Sequence, residues 1–287
     1  MENNVSLLDP YIINPQQPFL AWFADAWKAA GGKVHRDIKV PWKLKQAVGK
    51  YGLSIPVPRF RKNKLLVECA GRIEYFAWPW CYFYEIVPII WDCWPRYHEG
   101  LLKAIKVMGI KQIFCTASQV ADMVNEKCEG VRAIWIPEGL PANEYPMGGE
   151  LKQRRMDVLR IGRDAGGKFL YPTHEDLTAA MRDSKVMICR PRCDTHPEHA
   201  GDIETLTLRY WEAMLSGCVI VGRAPRELIK VCGYNPVVEN ESESEVLTHI
   251  DDFQELVNKN RLTAEQHADW SYRIPKIMTM MGTDPAI

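Results

Sequence analysis

The sequence predicts an α/β protein whose sheets are parallel and lie in two domains. Strand-like and helix-like segments alternate between residues 65 and 136, and such alternation is typical of a doubly wound parallel sheet. Residues 202–222 repeat the pattern as an amphipathic helix, a glycine and a buried strand. The chain has 287 residues, which is room for two domains of ordinary size.

The composition is that of a globular protein with reduced cysteines. Hydrophobic residues make up 47% of the chain and charged residues 25%, so a full core can be buried. The nine cysteines are an odd number and lie within apolar runs, which favours free thiols in a cytoplasmic protein. We expect no signal peptide, and the longest apolar run, Val87 to Trp91, is too short to span a bilayer.

Residues 28–64 carry a large excess of positive charge and are called the basic stretch below. They contain eleven Lys or Arg residues and one acid, Asp37, although the whole chain has a net charge of zero. An excess of this size favours contact with an anionic partner, either membrane headgroups or nucleic acid, over a solvated face. Peripheral attachment at the inner membrane face is one form that such contact would take.

The first half of the chain is expected to supply one complete sheet. Residues 1–17 are polar and turn-rich, so no strand is expected there. The predicted strands are Leu65–Ala70, Val87–Trp91, Gln112–Cys115 and Ala133–Ile136, and the predicted helices begin near Pro18, Arg96 and Ser118. Ligands of open α/β sheets bind beyond the carboxyl ends of the strands. Asp92 and Trp94, which follow the second strand, are therefore candidate site residues.

The second half is expected to hold a smaller sheet. Its predicted strands are Asp157–Ile161 and Lys185–Cys189, with a helix over Glu175–Arg182 between them. The loop after the second of these strands carries Arg190 and Arg192 and would line a binding pocket with positive charge. Residues Cys189, Cys193, His196 and His199 have a spacing that zinc sites use. Because Cys189 falls inside a strand, we expect no metal site.

Two glutamates in residues 202–222, Glu204 and Glu212, lie eight positions apart. Eight residues of helix advance roughly 12 Å and end about 80° round the axis. Two carboxylates so placed would hold two hydroxylated ends of one ligand. The amides of Thr205, Leu206 and Thr207 would face an anion between those ends. A nucleotide sugar, with its sugar, diphosphate and ribose, has that layout.

This stretch resembles the E-x7-E motif of retaining nucleotide-sugar glycosyltransferases with the GT-B fold. The likeness covers both glutamates and continues through the turn and strand at residues 216–222. It implies two Rossmann-like domains that face each other across a cleft, with the donor held mainly by the second. That domain looks trimmed. Only Phe169 to His174 stand where the family has further βα units.

The resemblance also implies roles for single residues. Glu204 would meet the donor sugar and Glu212 the ribose. Arg163 and Lys168, which have the family's spacing, would clamp the leaving diphosphate. Asp92 is the candidate for a catalytic base. No cofactor is expected, since the nucleotide-diphosphate sugar is itself the donor substrate.

The expected domains are residues 1–147, on the acceptor side, and residues 148–287, which bind the donor and end in a closing helix. The acceptor would be anionic or would lie at a membrane surface, and the basic stretch would contact it. Three alternatives stay open. They are a DNA-modifying glucosyltransferase, a nucleotide-sugar epimerase and a non-catalytic nucleotide-binding module.

Overall fold

Two parallel β-sheets form the framework of the molecule. The computed structural model describes residues 5–9, 19–38, 41, 43–45, 47, 63–161 and 167–282. The strands within them are β1 (Val5–Asp9), β2 (Lys33–Arg36), β3 (Lys64–Ala70), β4 (Glu85–Trp91), β5 (Gln112–Cys115), β6 (Arg132–Trp135), β7 (Met156–Leu159), β8 (Ser184–Cys189) and β9 (Val219–Gly222). The first sheet has the order β2-β1-β3-β4-β5-β6 and the second β7-β8-β9. Adjacent strands pair in parallel throughout, which confirms the predicted fold class.

Strands β1 and β2 add to the prediction, because neither was among the predicted strands. Strand β1 has only five residues, too few for their pattern to separate a strand from a turn-rich segment. Its extended form is fixed by pairing with β2 on one side and β3 on the other. The strand order therefore reverses between β1 and β3.

Helices cover both faces of the first sheet. The helices are α1 (Phe19–Ala29), α2 (Ile73–Ala77), α3 (Pro95–Met108), α4 (Ser118–Lys127), α5 (His174–Arg182), α6 (Arg192–Thr195), α7 (Pro197–Ala200), α8 (Leu208–Ser216), α9 (Arg226–Cys232), α10 (Glu243–Thr248), α11 (Gln254–His267) and α12 (Ile274–Met281). Phe23 of α1 and Ile277 of α12 pack with Leu66 of β3 on one face. Leu101 of α3 packs with Val67 of β3 on the other. Alternate residues of β3 thus serve two separate cores.

The second sheet is small, as predicted. A bridge between Val221 and Val238 extends its three strands. After residue 242 the chain forms the helices α10, α11 and α12. Pro275 in the first turn of α12 lacks the amide that would continue a helix from residue 271.

The end of the chain lies against the first sheet. Trp270 and Ile274 are buried in the same cluster as residues of β3 and β4. The ammonium group of Lys64 donates to the carbonyl oxygen of Met281 at 3.0 Å, and the side-chain amide of Gln112 donates to that of Met280 at 3.2 Å. The last helix therefore joins the second half of the chain to the first.

We predict that Gly222→Ala destabilises the fold by about 3 kcal/mol, because strain and overpacking add. Gly222 has φ 141°, and a β-carbon there would lie 2.0 Å from the carbonyl oxygen of Cys189. The control is Gly100→Ala in α3, whose β-carbon would meet nothing within 4 Å. It should stabilise the protein by about 0.5–1 kcal/mol. Urea denaturation measures both, and a Gly222→Ala protein as stable as the wild type would contradict the close contact.

Candidate functional site

The loops that leave the carboxyl ends of the two sheets meet one another. Trp94 follows β4 in the first sheet, and Arg192 follows β8 in the second. The guanidinium carbon of Arg192 lies 5.3 Å from the centre of the Trp94 ring. A β-carbon on Gly201 would lie 3.1 Å from the Pro95 ring, so the Gly201 backbone also comes close to the start of α3. Since open α/β sheets bind ligands beyond their carboxyl ends, this meeting place is the candidate site.

The two predicted glutamates do not lie on one helix, which corrects the geometry derived from their spacing. Helix α8 begins at Leu208, and Thr207 before it is extended, with φ −81° and ψ 160°. The spacing of 12 Å expected for one helix therefore does not apply. Two carboxylates accept from amides at this point of the chain, that of Glu227 on α9 and that of Glu138 in the loop after β6. The amide of Leu206 donates to Glu227 at 2.7 Å, and that of Leu208 donates to Glu138.

Glu204 is held by arginines. Its carboxylate accepts a hydrogen bond from Nη1 of Arg223 and another from the amide of Arg226 at 3.2 Å. The same guanidinium donates to both oxygens of Asp194, at 2.6 and 2.7 Å. Hydrogen bonds to Asp194 and Glu204 raise the pKa of Arg223. The Glu204 side chain is 13% exposed, so one carboxylate is both oriented and still reached by solvent.

Arg223 and Asp194 are site residues that sequence reasoning missed. Neither residue was among the predicted site residues. One signal was available, because Arg223 directly follows the buried strand β9, at the end of the sheet where ligands bind. The partnership with Asp194 had no such signal, since 29 positions separate the two residues.

Glu212 lies on α8 beside the linker between the sheets. Its carboxylate accepts from the Tyr145 hydroxyl at 3.1 Å and from Nη1 of Arg209 at 2.8 Å. The side chain is 7% exposed. The rings of Trp22 and His174 pack edge-on against Tyr145. Because Trp22 belongs to α1, the first half of the chain helps to fix this carboxylate.

Asp92 has the properties of a side chain at the bottom of a crevice. It is exposed to solvent, yet desolvation raises its pKa, and the charge of Arg192 opposes that rise. A carboxyl group surrounded by protein but open on one side meets both conditions. Asp92 also has φ 49°, and it is the one residue other than glycine with a positive φ among those the structure describes. Strained backbone of this kind is concentrated at functional sites.

The remaining predicted donor-binding residues are placed as follows. Arg163 lies outside the described residues. Lys168 is exposed, and so is Arg190, whose charge contributes to the lowered pKa of Asp194. Thr205 and Leu206 are buried and Thr207 is half-buried. The amide of Leu206 already donates to Glu227, so a bound anion would compete with that carboxylate for the amide.

Charge is divided between the two sides of the site. On the side of the first sheet, burial raises the pKa of Glu138 well above its ordinary value, and nearby Asp92 adds to the rise. Burial also raises the pKa of Glu227, on the border between the sheets. On the side of the second sheet stand Arg190, Arg192 and Arg223. Such an arrangement can take up a proton on one side and stabilise an anionic group on the other.

The zinc alternative finds no support in the positions of its residues. Cys189 is buried inside β8, and Cys193 donates to Asp194 at 3.6 Å. No group of three or more His, Cys, Asp or Glu residues in the described part of the chain is arranged to hold a metal ion.

Part of the basic stretch is committed to internal contacts. Its single acid, Asp37, pairs with Lys45 at 2.8 Å, and both side chains are buried. Trp80 also donates to Asp37, at 2.7 Å. Lys28 pairs with Asp25 at 3.4 Å, while Lys64 binds the end of α12. Most of residues 39–62 lie outside the described residues.

Comparison with known proteins shows the fold. No family model and no curated protein matches the chain. Among solved structures, sucrose-phosphate synthase from Thermosynechococcus elongatus has a TM-score of 0.60 at 12% identity and covers 97% of this chain and 98% of its own. Anabaena HepE in complex with UDP and glucose has a TM-score of 0.55 at 10% identity, with 97% and 99% covered. The glycosyltransferase AviGT4 has a TM-score of 0.53 at 11% identity, with 97% of each chain covered.

The protein therefore has the GT-B glycosyltransferase fold over nearly its whole length. Identities of this size establish architecture, and the chemistry has to be argued from the site. Within the described ranges, no helix has the length and apolar character needed to cross a bilayer.

We predict that Arg192→Gln raises the pKa of Asp92 further. Arg192 is the cation that opposes desolvation of this carboxyl group, so its removal disfavours the ionised form. Carbon-detected NMR titration of the aspartate carboxyl groups measures the change. The control is Arg155→Gln, which should leave Asp92 unchanged but raise the pKa of Asp183, now lowered by its hydrogen bond to Arg155. An unchanged Asp92 in Arg192→Gln would show that the two charges do not interact.

Proposed function

We propose that the protein is a glycosyltransferase that moves a hexose from a nucleotide-diphosphate donor to an acceptor, with retention of configuration and without a metal ion. The observation that carries the proposal is the placement of Glu204 and Glu212. Both carboxylates are fixed by arginines at the carboxyl end of the second sheet, where a GT-B fold receives its donor. The structure of HepE, which covers almost the whole chain, contains UDP and glucose.

In this proposal, Glu212 binds the ribose and Glu204 the donor sugar. A carboxylate has about four acceptor positions. Glu212 uses two of them, for Tyr145 and Arg209, and so keeps capacity for a hydroxyl group. Glu204 likewise accepts two hydrogen bonds through its two oxygens. Fixed carboxylates select hydroxyl positions because an analogue without the hydroxyl leaves them unpaired.

The diphosphate would be held by positive charge. Arg163, Lys168, Arg190 and Arg192 are the proposed cations, with the backbone of residues 205–207 supplying hydrogen bonds. Since the Leu206 amide is engaged by Glu227, the contribution of this segment falls to Thr205 and Thr207. When the glycosidic bond breaks, its electron pair leaves with the diphosphate, and fixed cations stabilise the charge that develops there.

Asp92 is the proposed base. The acceptor hydroxyl oxygen forms the new bond to the anomeric carbon through an oxocarbenium-like state, and its proton passes to a carboxylate. Asp92 is open to solvent, and its pKa is raised by desolvation, which makes its ionised form a stronger base. It follows β4, in the half of the chain that is proposed to face the acceptor.

The acceptor is proposed to be anionic or to lie at a membrane surface, with the basic stretch as its contact. Lys28, Lys45 and Lys64 also make internal contacts, so the contact is proposed for the stretch as a whole. Binding to duplex DNA that weakens steeply with salt would point instead to a nucleic-acid acceptor.

We predict that Glu212→Gln lowers the affinity for UDP or GDP by about 10- to 100-fold, the usual range for a hydrogen bond to a charged group. It should also lower kcat/KM for donor cleavage. Calorimetric titration and a donor-hydrolysis assay measure the two effects. Glu175→Gln, an exposed change on α5, is the control and should behave as the wild type.

Two results would count against the proposal. If the wild-type protein binds neither UDP nor GDP, the proposed donor site is wrong. A protein that binds a nucleotide but never cleaves a nucleotide sugar would be a binding module.

A further inference from the structure

One glutamine of the first domain holds the backbone on both sides of residue 203. Gln119 lies at the start of α4, in the helix that follows β5. Its side-chain oxygen accepts from the amide of Glu204 at 2.7 Å, and its side-chain nitrogen donates to the carbonyl oxygen of Asp202 at 3.1 Å. An amide side chain that both donates and accepts in this way holds a segment as a neighbouring strand would. The segment thus depends on a residue far from it in the sequence.

One carboxylate joins the same segment to the start of α4. Glu227 of α9 is 3% exposed. One of its oxygens accepts from the amide of Ser118 at 2.5 Å, and the other accepts from the amide of Leu206 at 2.7 Å. If the first domain moved away, a buried carboxylate would lose one of its donors, and such a loss is costly.

Apolar packing anchors the segment to the first domain as well. Ala200 and Ile203 precede Glu204 in the chain, yet both are buried in the hydrophobic cluster built on β3, β4 and β5. The segment that carries Glu204 therefore follows the second sheet in sequence and packs on the first in space.

We infer that Gln119 and Glu227 are positioning residues, and that the sugar side of the donor site is complete only while the two domains are in contact. The inference rests on the proposed function. Glu204 is the residue assigned to the sugar, and its backbone is fixed by Gln119. The ribose side does not use Gln119 or Glu227, because Glu212 is held by Tyr145 and Arg209. Nucleotide binding and sugar transfer should therefore respond differently when the contact is weakened.

The first experiment separates these two responses. Gln119→Ala removes both hydrogen bonds and should lower kcat for transfer about 10-fold or more, while the Kd for UDP stays within about twofold of the wild type. Gln119→Glu keeps the acceptor for the Glu204 amide but loses the donor to Asp202. Its kcat should therefore fall between those of the wild type and Gln119→Ala. Asp122→Ala, an exposed change on the same helix, is the matched control. A wild-type kcat in Gln119→Ala, or a loss of UDP affinity in step with kcat, overturns the inference.

The second experiment needs no activity and uses hydrogen exchange of the full chain. Gln119→Ala should speed exchange of the Glu204 amide. Glu227→Gln, which retains a single side-chain acceptor oxygen, should speed exchange at Ser118 or Leu206. Amides of β8 should not change. If exchange is unchanged in both variants, the inference that Gln119 and Glu227 hold this segment is overturned, even where the wild type transfers sugar.

The two failures can be told apart. A wild-type protein without nucleotide binding or transfer, but with the expected exchange pattern, would reject the proposed function and leave the domain contact established.

Discussion

The position of Glu204 depends on one guanidinium group, that of Arg223. Bidentate hydrogen bonds between arginine and a carboxylate fix geometry as well as charge, and Arg223 adds Glu204 to such a pair with Asp194. Its main chain is tied on both sides. The amide donates to Cys189 at 3.1 Å, and the carbonyl oxygen accepts from the Tyr210 hydroxyl at 2.6 Å. These hydrogen bonds fix Arg223 at the end of the second sheet, and its bond to Glu204 in turn fixes that carboxylate.

The start of α8 shows how carboxylates and phosphates compete for the same donors. Free amides before a helix normally attract an anion. Here the amide of Leu206 donates to Glu227 and the amide of Leu208 donates to Glu138. Burial raises the pKa of both acids. In the proposed function, a diphosphate would therefore depend on arginine side chains more than on these amides. This distinguishes the site from one built on a helix N-terminus alone.

The second half of the chain packs on the first sheet as well as on its own. A three-stranded unit buries little surface by itself. Trp270 and Ile274 are buried against β3 and β4, Ile203 is buried in the opposite core, and Trp22 packs against Tyr145 beside Glu212. Both ends of the proposed donor site thus contain first-domain contacts. A trimmed domain in this arrangement is stabilised by the same contacts that shape its site.

The sequence by itself determined the elements whose apolar runs are long and well bounded. Strand β5 was predicted to the residue, and β4 to within two. Gly217, which is left-handed at φ 73°, ends α8 as expected. The parallel α/β class followed from this alternation, and the sequence also marked Glu204, Glu212 and Asp92 as candidates, with functional roles that stay proposals.

Only the tertiary structure decided how these residues are arranged. Strands β1 and β2 exist because they pair with neighbours, and short segments carry too little pattern to show it. The segment before α8 is extended, with its Leu206 amide bonded to Glu227 of α9 and the Leu208 amide at the helix start bonded to Glu138. Local spacing does not report hydrogen bonds from residues that are distant in the chain. For the same reason the pairing of Glu204 with Arg223 and Gln119 could not be read from the sequence. Local periodicity fixes the elements, whereas hydrogen bonds between residues far apart in the chain fix the site.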